Sequence, residues 1–213
     1  MSLTPRRPRV ALAGAALFAA TAALVAAGAF TWLDQYAVSH LMPWLRPRHH
    51  PSVTLASLTL PAVRGPLGRA LLDVWTYPAA FVPSGLLVLS CAWRLRARGH
   101  LDAAIAWCAL WVAGNAVELA GKLLVERPAL HHDGVHVVGF DHSLPSGHTI
   151  RSLVVAGAFT WVWRRGPLAF AWAAGVFAAL VALGHHTPTD VAAGVFVAIV
   201  LWGWAPSPTS RRG

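Results

Sequence analysis

Residues 143–163 read SLPSGHTIRSLVVAGAFTWVW. The first half is polar and conformationally special, with two hydroxyls, a proline, a glycine, a histidine and Arg151. The second half is an apolar run from Thr149 onward. Ionisable groups at the mouth of such a run cost free energy if buried alone, so their presence implies polar company. Ser146 is a natural N-cap for the helix that follows, and Gly147 leaves its backbone open to close approach. The segment predicts a helix that starts at a polar site and then crosses an apolar medium.

The rest of the chain supplies that medium. Of 213 residues, 56% are hydrophobic and 12% charged. The length suits one domain, residues 1–213, and the composition points away from a soluble one. A bilayer needs about 20 apolar residues per helix. Candidate spans lie near residues 10–33, 74–93, 101–125, 149–163, 168–183 and 191–204. The fourth and fifth are short and need flanking residues or a thinned bilayer to cross. The fold class expected is all-α: a polytopic membrane protein with six transmembrane helices in one bundle. Cys91 and Cys108 fall within spans and read as buried apolar residues, and the 11 tryptophans suit headgroup boundaries. The first run has a basic start (Arg6, Arg7, Arg9) and an Ala27-Gly28-Ala29 stretch, so a cleaved signal peptide is the rival to a retained helix.

The formal charge of +9 is distributed by topology, which argues against a nucleic-acid partner. Arg6, Arg7 and Arg9 precede the first span, Arg94, Arg96 and Arg98 follow the second, Arg164 and Arg165 follow the fourth, and Arg211 and Arg212 close the chain. A six-span count puts all of them on one side, as the positive-inside rule requires. Both termini are then cytoplasmic in a multi-pass protein of the cell membrane. The longest connection, residues 34–72, falls outside and carries Arg46, Arg48, His49 and His50 before an interfacial or re-entrant apolar stretch from Val53 to Val63. It reads either as a lid or as a solvated basic loop.

The same count brings the remaining polar residues to the outer face. Lys122 lies near the end of the third span, His148 opens the fourth, and His185, His186 and Asp190 occupy the turn between the fifth and sixth. Backbone N–H groups at Ser146–Gly147, with the positive end of the helix dipole, suit an anion, and Arg151 follows one turn later. In GHHTPTDVAAG, residues 184–194, Asp190 stands four positions after His186 and suits orienting its imidazole and raising its basicity. The plainer alternative has Asp190 capping a helix. A metal is a further alternative, although no His-Glu-x-x-His spacing occurs. In ELAGKLLVERPAL, residues 118–130, Lys122 contacts either phosphate or Glu118 in a helical ion pair, and the two are not exclusive.

With these three stretches in order, the chain resembles the type 2 phosphatidic acid phosphatase superfamily of membrane lipid phosphatases. That pattern runs Lys, six residues, Arg-Pro; then Pro-Ser-Gly-His; then Ser-Arg, five residues, His, three residues, Asp. Lys122 matches the first lysine, Pro145 to His148 match the second motif, and His186 and Asp190 match the end of the third. Two departures stand out. The Arg-Pro pair sits at Arg127-Pro128, two positions early, and Ala179-Leu180 stand where Ser-Arg would fall. Arg127 and Arg151 are the candidate replacements, since an arginine fork can reach a phosphate from either place.

The resemblance implies a metal-independent hydrolysis without cofactor. His186, held by Asp190, attacks phosphorus to form a phosphohistidine, and His148 protonates the leaving oxygen. Lys122, Arg127, Arg151, Ser146 and Gly147 would bind the phosphate. The substrate implied is a lipid phosphate or pyrophosphate, such as polyprenyl pyrophosphate or phosphatidic acid, drawn from the surrounding membrane lipids. Two alternatives remain at this level: a non-catalytic phospholipid-binding relative, motivated by the displaced arginines, and a small transporter, motivated by Glu118 and Lys122 inside the apolar region. A homodimer is compatible with six spans.

Overall fold

The structure, a computed structural model, describes residues 7–45 and 66–206. The expected interfacial stretch Val53 to Val63, with its preceding Arg46, Arg48, His49 and His50, lies outside the described residues, as do Arg6, Arg211 and Arg212. Among the described residues the architecture is all-α apart from one small hairpin. The helices are α1 (Pro8–Ala26), α2 (Thr31–His40), α3 (Leu67–Thr76), α4 (Phe81–Ala97), α5 (Leu101–Leu124), α6 (Gly147–Trp163), α7 (Gly166–Ala182) and α8 (Pro188–Trp202).

Proline opens three of these helices, within the first two positions of α1, α7 and α8, where its missing N–H costs nothing. The first span was expected to run to residue 33. Instead α1 stops at Ala26, because Gly28 adopts a positive φ of 76° and redirects the chain into α2. The second expected span, 74–93, is a bent pair: α3, a 3-10 turn at Tyr77–Ala79, and α4, meeting at 49°. Pro78 lies in that turn and has no N–H to continue the ladder. The third span matches α5 to within a residue.

By length and composition α1 (19 residues) and α5 (24 residues) are apolar enough to cross a membrane, and a third span results if the bent pair counts as one. The apolar helices α7 and α8 are shorter, at 17 and 15 residues. Large apolar side chains on the outside, including Leu12, Leu89, Trp93, Val112 and Leu123, are left exposed by the described residues. Such a surface fits a lipid environment.

Helix α6 is the axis of the molecule. It packs against α4, α5, α7 and α8, and residues such as Ile150, Val154, Ala156 and Trp161 are buried around its circumference. A helix apolar on all sides is a core helix. The main cluster joins it to Val88, Leu95, Trp107, Leu110, Val197 and Leu201. Helix α1 lies along α8 at close range, because a β-carbon on Gly14 would come within 2.8 Å of the Val200 backbone nitrogen.

The two ends of the bundle differ chemically. At one end the Arg98 guanidinium donates to the Val162 carbonyl (2.8 Å), and the Arg7 backbone N–H donates to Gly203 (2.9 Å). Arg94, Arg96 and Arg98, in and just after the last turn of α4, and Arg164 and Arg165, just after α6, belong to the same end. At the other end α6 and α8 begin, about 25 Å away for a helix of 17 residues. Between α5 and α6 a hairpin pairs His131–His132 with Val135–His136, turned by Asp133-Gly134 with φ of 50° and 76°. An Asp-Gly pair suits this turn because both positions need positive φ.

Candidate active site

The site is built where α6 and α8 start side by side. Ser146 caps α6: its Oγ accepts from the Thr149 N–H (3.3 Å) and the Thr149 hydroxyl (3.0 Å). Its own backbone N–H donates to the Asp190 carbonyl at 3.0 Å, which ties the two helix starts together. Thr187 caps α8 through a capping box. Its Oγ1 accepts from the Asp190 N–H (3.4 Å), and Asp190 Oδ2 accepts from the Thr187 N–H (3.0 Å). Each cap satisfies helix-start donors that would otherwise be orphaned in an apolar setting.

These caps place both imidazoles. His148 sits half-buried in the first turn of α6, and His186 is buried in the turn before α8. Their ring centroids are 6.4 Å apart at an interplanar angle of 57°. His186 Nδ1 lies 3.4 Å from Asp190 Oδ2 and has no well-aligned hydrogen bond. The carboxylate faces the ring nitrogen at a distance longer than a tight hydrogen bond. Asp190 therefore does both things that the sequence left open: it caps α8 and it faces His186.

The Asp190 carboxylate is held by two further donors. The Ser143 hydroxyl donates to Oδ2 (2.7 Å), and Arg127 Nη2 donates to Oδ1 (2.5 Å). Arg127 also donates to Asp34 (2.9 Å), Thr187 (2.9 Å) and Thr189 (3.3 Å). Asp34 comes from α2 and accepts from the Thr189 hydroxyl at 2.5 Å. Burial pushes the Asp34 carboxyl up, against the hydrogen bond from Thr189 and the Arg127 charge, which pull it down. Arg127 was expected at the phosphate. The structure instead places its side chain in the interior, 3% exposed, clamped between two aspartates. Its chemistry is to hold Asp190 and the α2–α8 junction.

A second node gathers around Glu118. Glu118 of α5 accepts from Lys122 Nζ (2.6 Å) through Oε1 and from Arg151 Nη1 (2.5 Å) through Oε2. Arg151 also donates to Asn115 Oδ1 and to the Ala79 carbonyl, both at 2.9 Å. Arg151, like Arg127, is thus engaged by protein acceptors, and it binds the 3-10 turn to α5 and α6. Lys122 keeps 36% of its side chain exposed and is the most accessible of the three cations. Gly147 is packed against Glu118, and a β-carbon there would overlap the Glu118 carboxylate.

The structure brings Lys122, Ser146, Gly147, His148, Arg151, His186, Asp190 and Arg127 to one end of the bundle, in two linked nodes. Sequence reasoning missed Asp34, Asn115, Ser143, Thr187 and Thr189. A signal existed for two of them: Thr187 and Asp190 form the T-x-x-D pattern of a capping box, and Asp34 is a lone acid in the apolar stretch TWLDQYAV. Among the described residues, no three His, Cys, Asp or Glu side chains converge as a metal site.

No protein-family model matches the chain, and no curated protein matches it. Among solved structures it is similar to the first transmembrane PAP2-type phosphatidylglycerolphosphate phosphatase solved from Bacillus subtilis, with a TM-score of 0.61. The match covers 90% of this chain and 92% of that one at 17% identity. The chain therefore has the fold of that membrane phosphatase.

Proposed function

We propose that the protein is an integral membrane lipid phosphatase of the type 2 phosphatidic acid phosphatase superfamily. It hydrolyses a lipid phosphate or pyrophosphate without metal, through a phosphohistidine. The observation that carries this reading is the His148–His186 pair, 6.4 Å apart between two capped helix starts, with Asp190 at 3.4 Å from His186. The likeness in fold to a membrane phosphatase supports it.

With Nδ1 turned to Asp190, His186 presents Nε2 to phosphorus. The new N–P bond forms as the P–O bond to the lipid breaks, and His148, entering protonated, gives its proton to the departing oxygen. Water then attacks phosphorus while the neutral His148 takes up a proton. The N–P bond breaks and inorganic phosphate leaves. Lys122 and the N–H groups opening α6 hold the non-bridging oxygens, where charge stabilisation has the largest effect. The active site faces the extracytoplasmic side of the cell membrane, with both termini cytoplasmic, so the lipid tail stays in the bilayer while its headgroup enters. Polyprenyl pyrophosphate and phosphatidic acid both have this shape.

A second reading is a phospholipid-binding relative that does not cleave its ligand. One observation favours it: Arg127 and Arg151 are both engaged by internal carboxylates. Phosphate release from polyprenyl pyrophosphate and phosphatidic acid by purified protein in excess chelator separates the two. Chelator-resistant release that is lost in His186→Ala establishes the enzyme, and no release from well-folded wild type establishes the binder.

A further inference from the structure

We infer that Glu118 is the resident anion of the phosphoryl seat, an internal competitor whose charge limits how much charge a substrate phosphate carries into the site. This rests on the proposed reading of the α6 start as the phosphate position. Neither of the three motif stretches of the resemblance nor the imidazole chemistry calls for a carboxylate here.

The geometry is that of a bound oxyanion. The two Glu118 oxygens are divided between Lys122 Nζ (2.6 Å) and Arg151 Nη1 (2.5 Å). The carboxylate also lies against Gly147, the first residue of α6, so closely that no side chain fits there. Backbone N–H groups and the positive end of the helix dipole meet at that place, where a phosphate gains most. A carboxylate presents two oxygens in a plane, much as a phosphoryl group presents two of its three. A merely structural ion pair with Arg151 does not require the helix start or the half-exposed Lys122. Glu118 packs against the first and bonds to the second.

Charge counting gives the consequence. Apart from the two imidazoles, the cations of the site are Lys122, Arg127 and Arg151, and the carboxylates are Asp34, Glu118 and Asp190. The numbers are equal, so a phosphate arrives at a site whose cations are already matched. Two anions cannot share Lys122 and Arg151 within a few ångströms without strong repulsion. Glu118 must therefore swing off Gly147 for a phosphoryl group to settle there, and the opposition grows with the charge the ligand brings. Glu118 is then a specificity-determining residue that favours phosphate monoesters over the more highly charged pyrophosphates.

The test is equilibrium binding of inorganic phosphate and of inorganic pyrophosphate to the full chain in detergent, by calorimetry, for wild type and Glu118→Gln. Thermal unfolding of each checks folding. The glutamine keeps size and removes charge. Expected is phosphate binding at least about tenfold tighter in Glu118→Gln, with a larger gain for pyrophosphate. Wild type that binds phosphate, with a folded Glu118→Gln that binds equally or more weakly, overturns the inference and leaves the phosphatase reading standing, since Glu118 then serves to orient Lys122 and Arg151. No binding of either ion by either folded protein overturns both. Should the glutamine variant not fold, Glu118→Asp draws the carboxylate back from Gly147 while keeping its charge near Arg151. Tighter phosphate binding by that variant supports the competitor role, and unchanged or weaker binding removes it.

Discussion

Arg127 closes on the Asp190 oxygen that does not face His186, Nη2 to Oδ1 at 2.5 Å, while Oδ2 stands 3.4 Å from His186 Nδ1. One carboxylate is thus shared between a buried structural cation and an imidazole. In the proposed mechanism Arg127 would act through Asp190, as a positioning residue, and through Asp34 it fixes α2 to the start of α8.

Replacing Arg127 by alanine leaves two buried carboxylates unpaired. The expected loss is about 3–5 kcal/mol of stability, read as a lower unfolding midpoint in detergent, together with reduced turnover. A phosphate-binding role predicts the reverse pattern: a raised KM at unchanged stability. Comparing unfolding and KM in the same preparation decides between them.

His148 is predicted to act as the acid for the leaving oxygen. His148→Ala should lower turnover on a lipid phosphate by about 10²–10⁴-fold. The loss should shrink for a nitrophenyl phosphate, whose leaving group needs no proton. An equal loss on both substrates would assign His148 to phosphate binding.

Thr187 caps α8 and accepts from Arg127. Thr187→Ala removes both interactions and should cost about 1–3 kcal/mol. Thr187→Ser keeps the oxygen and should recover most of it. Stability in the two variants, measured by thermal unfolding, is the readout.

Gly14 lets α1 approach the α8 backbone, with Val200 nitrogen 2.8 Å from where a β-carbon would stand. Gly14→Val should force the helices apart and lower the unfolding midpoint. Gly134→Ala, at a turn position with nothing within 4 Å of a β-carbon, tests the other use of glycine: strain from a positive φ without a clash. Its cost should be smaller, about 1 kcal/mol.

Much of the fold was legible because its signals are local. Apolar run length predicted α5 to within a residue, and Ser146 before an apolar stretch predicted a capped helix start. The first span was read too long because Ala, Gly and Phe at residues 27–30 keep the run apolar. Hydropathy does not register a backbone reversal at Gly28. The bend between α3 and α4 was missed for the same reason: Pro78 breaks a hydrogen-bond ladder without interrupting the apolar pattern.

For the site, residue types and spacing along the chain were enough to bring Lys122, His148, His186 and Asp190 to one end, since helices of known length that enter and leave a bilayer alternate ends. Which partner each charge chooses was not contained there. Arg127 meets Asp34 across 93 positions and Arg151 meets Glu118 across 33. Pairing at such separations depends on which faces of α2, α5, α6 and α8 turn toward one another, and that is decided by packing around α6. The sequence by itself determined an all-α apolar chain with its candidate site residues gathered at one end. Only the tertiary structure decided that Arg127 and Arg151, like Lys122, are held by carboxylates, because a buried charge takes the nearest opposite charge that the packing supplies.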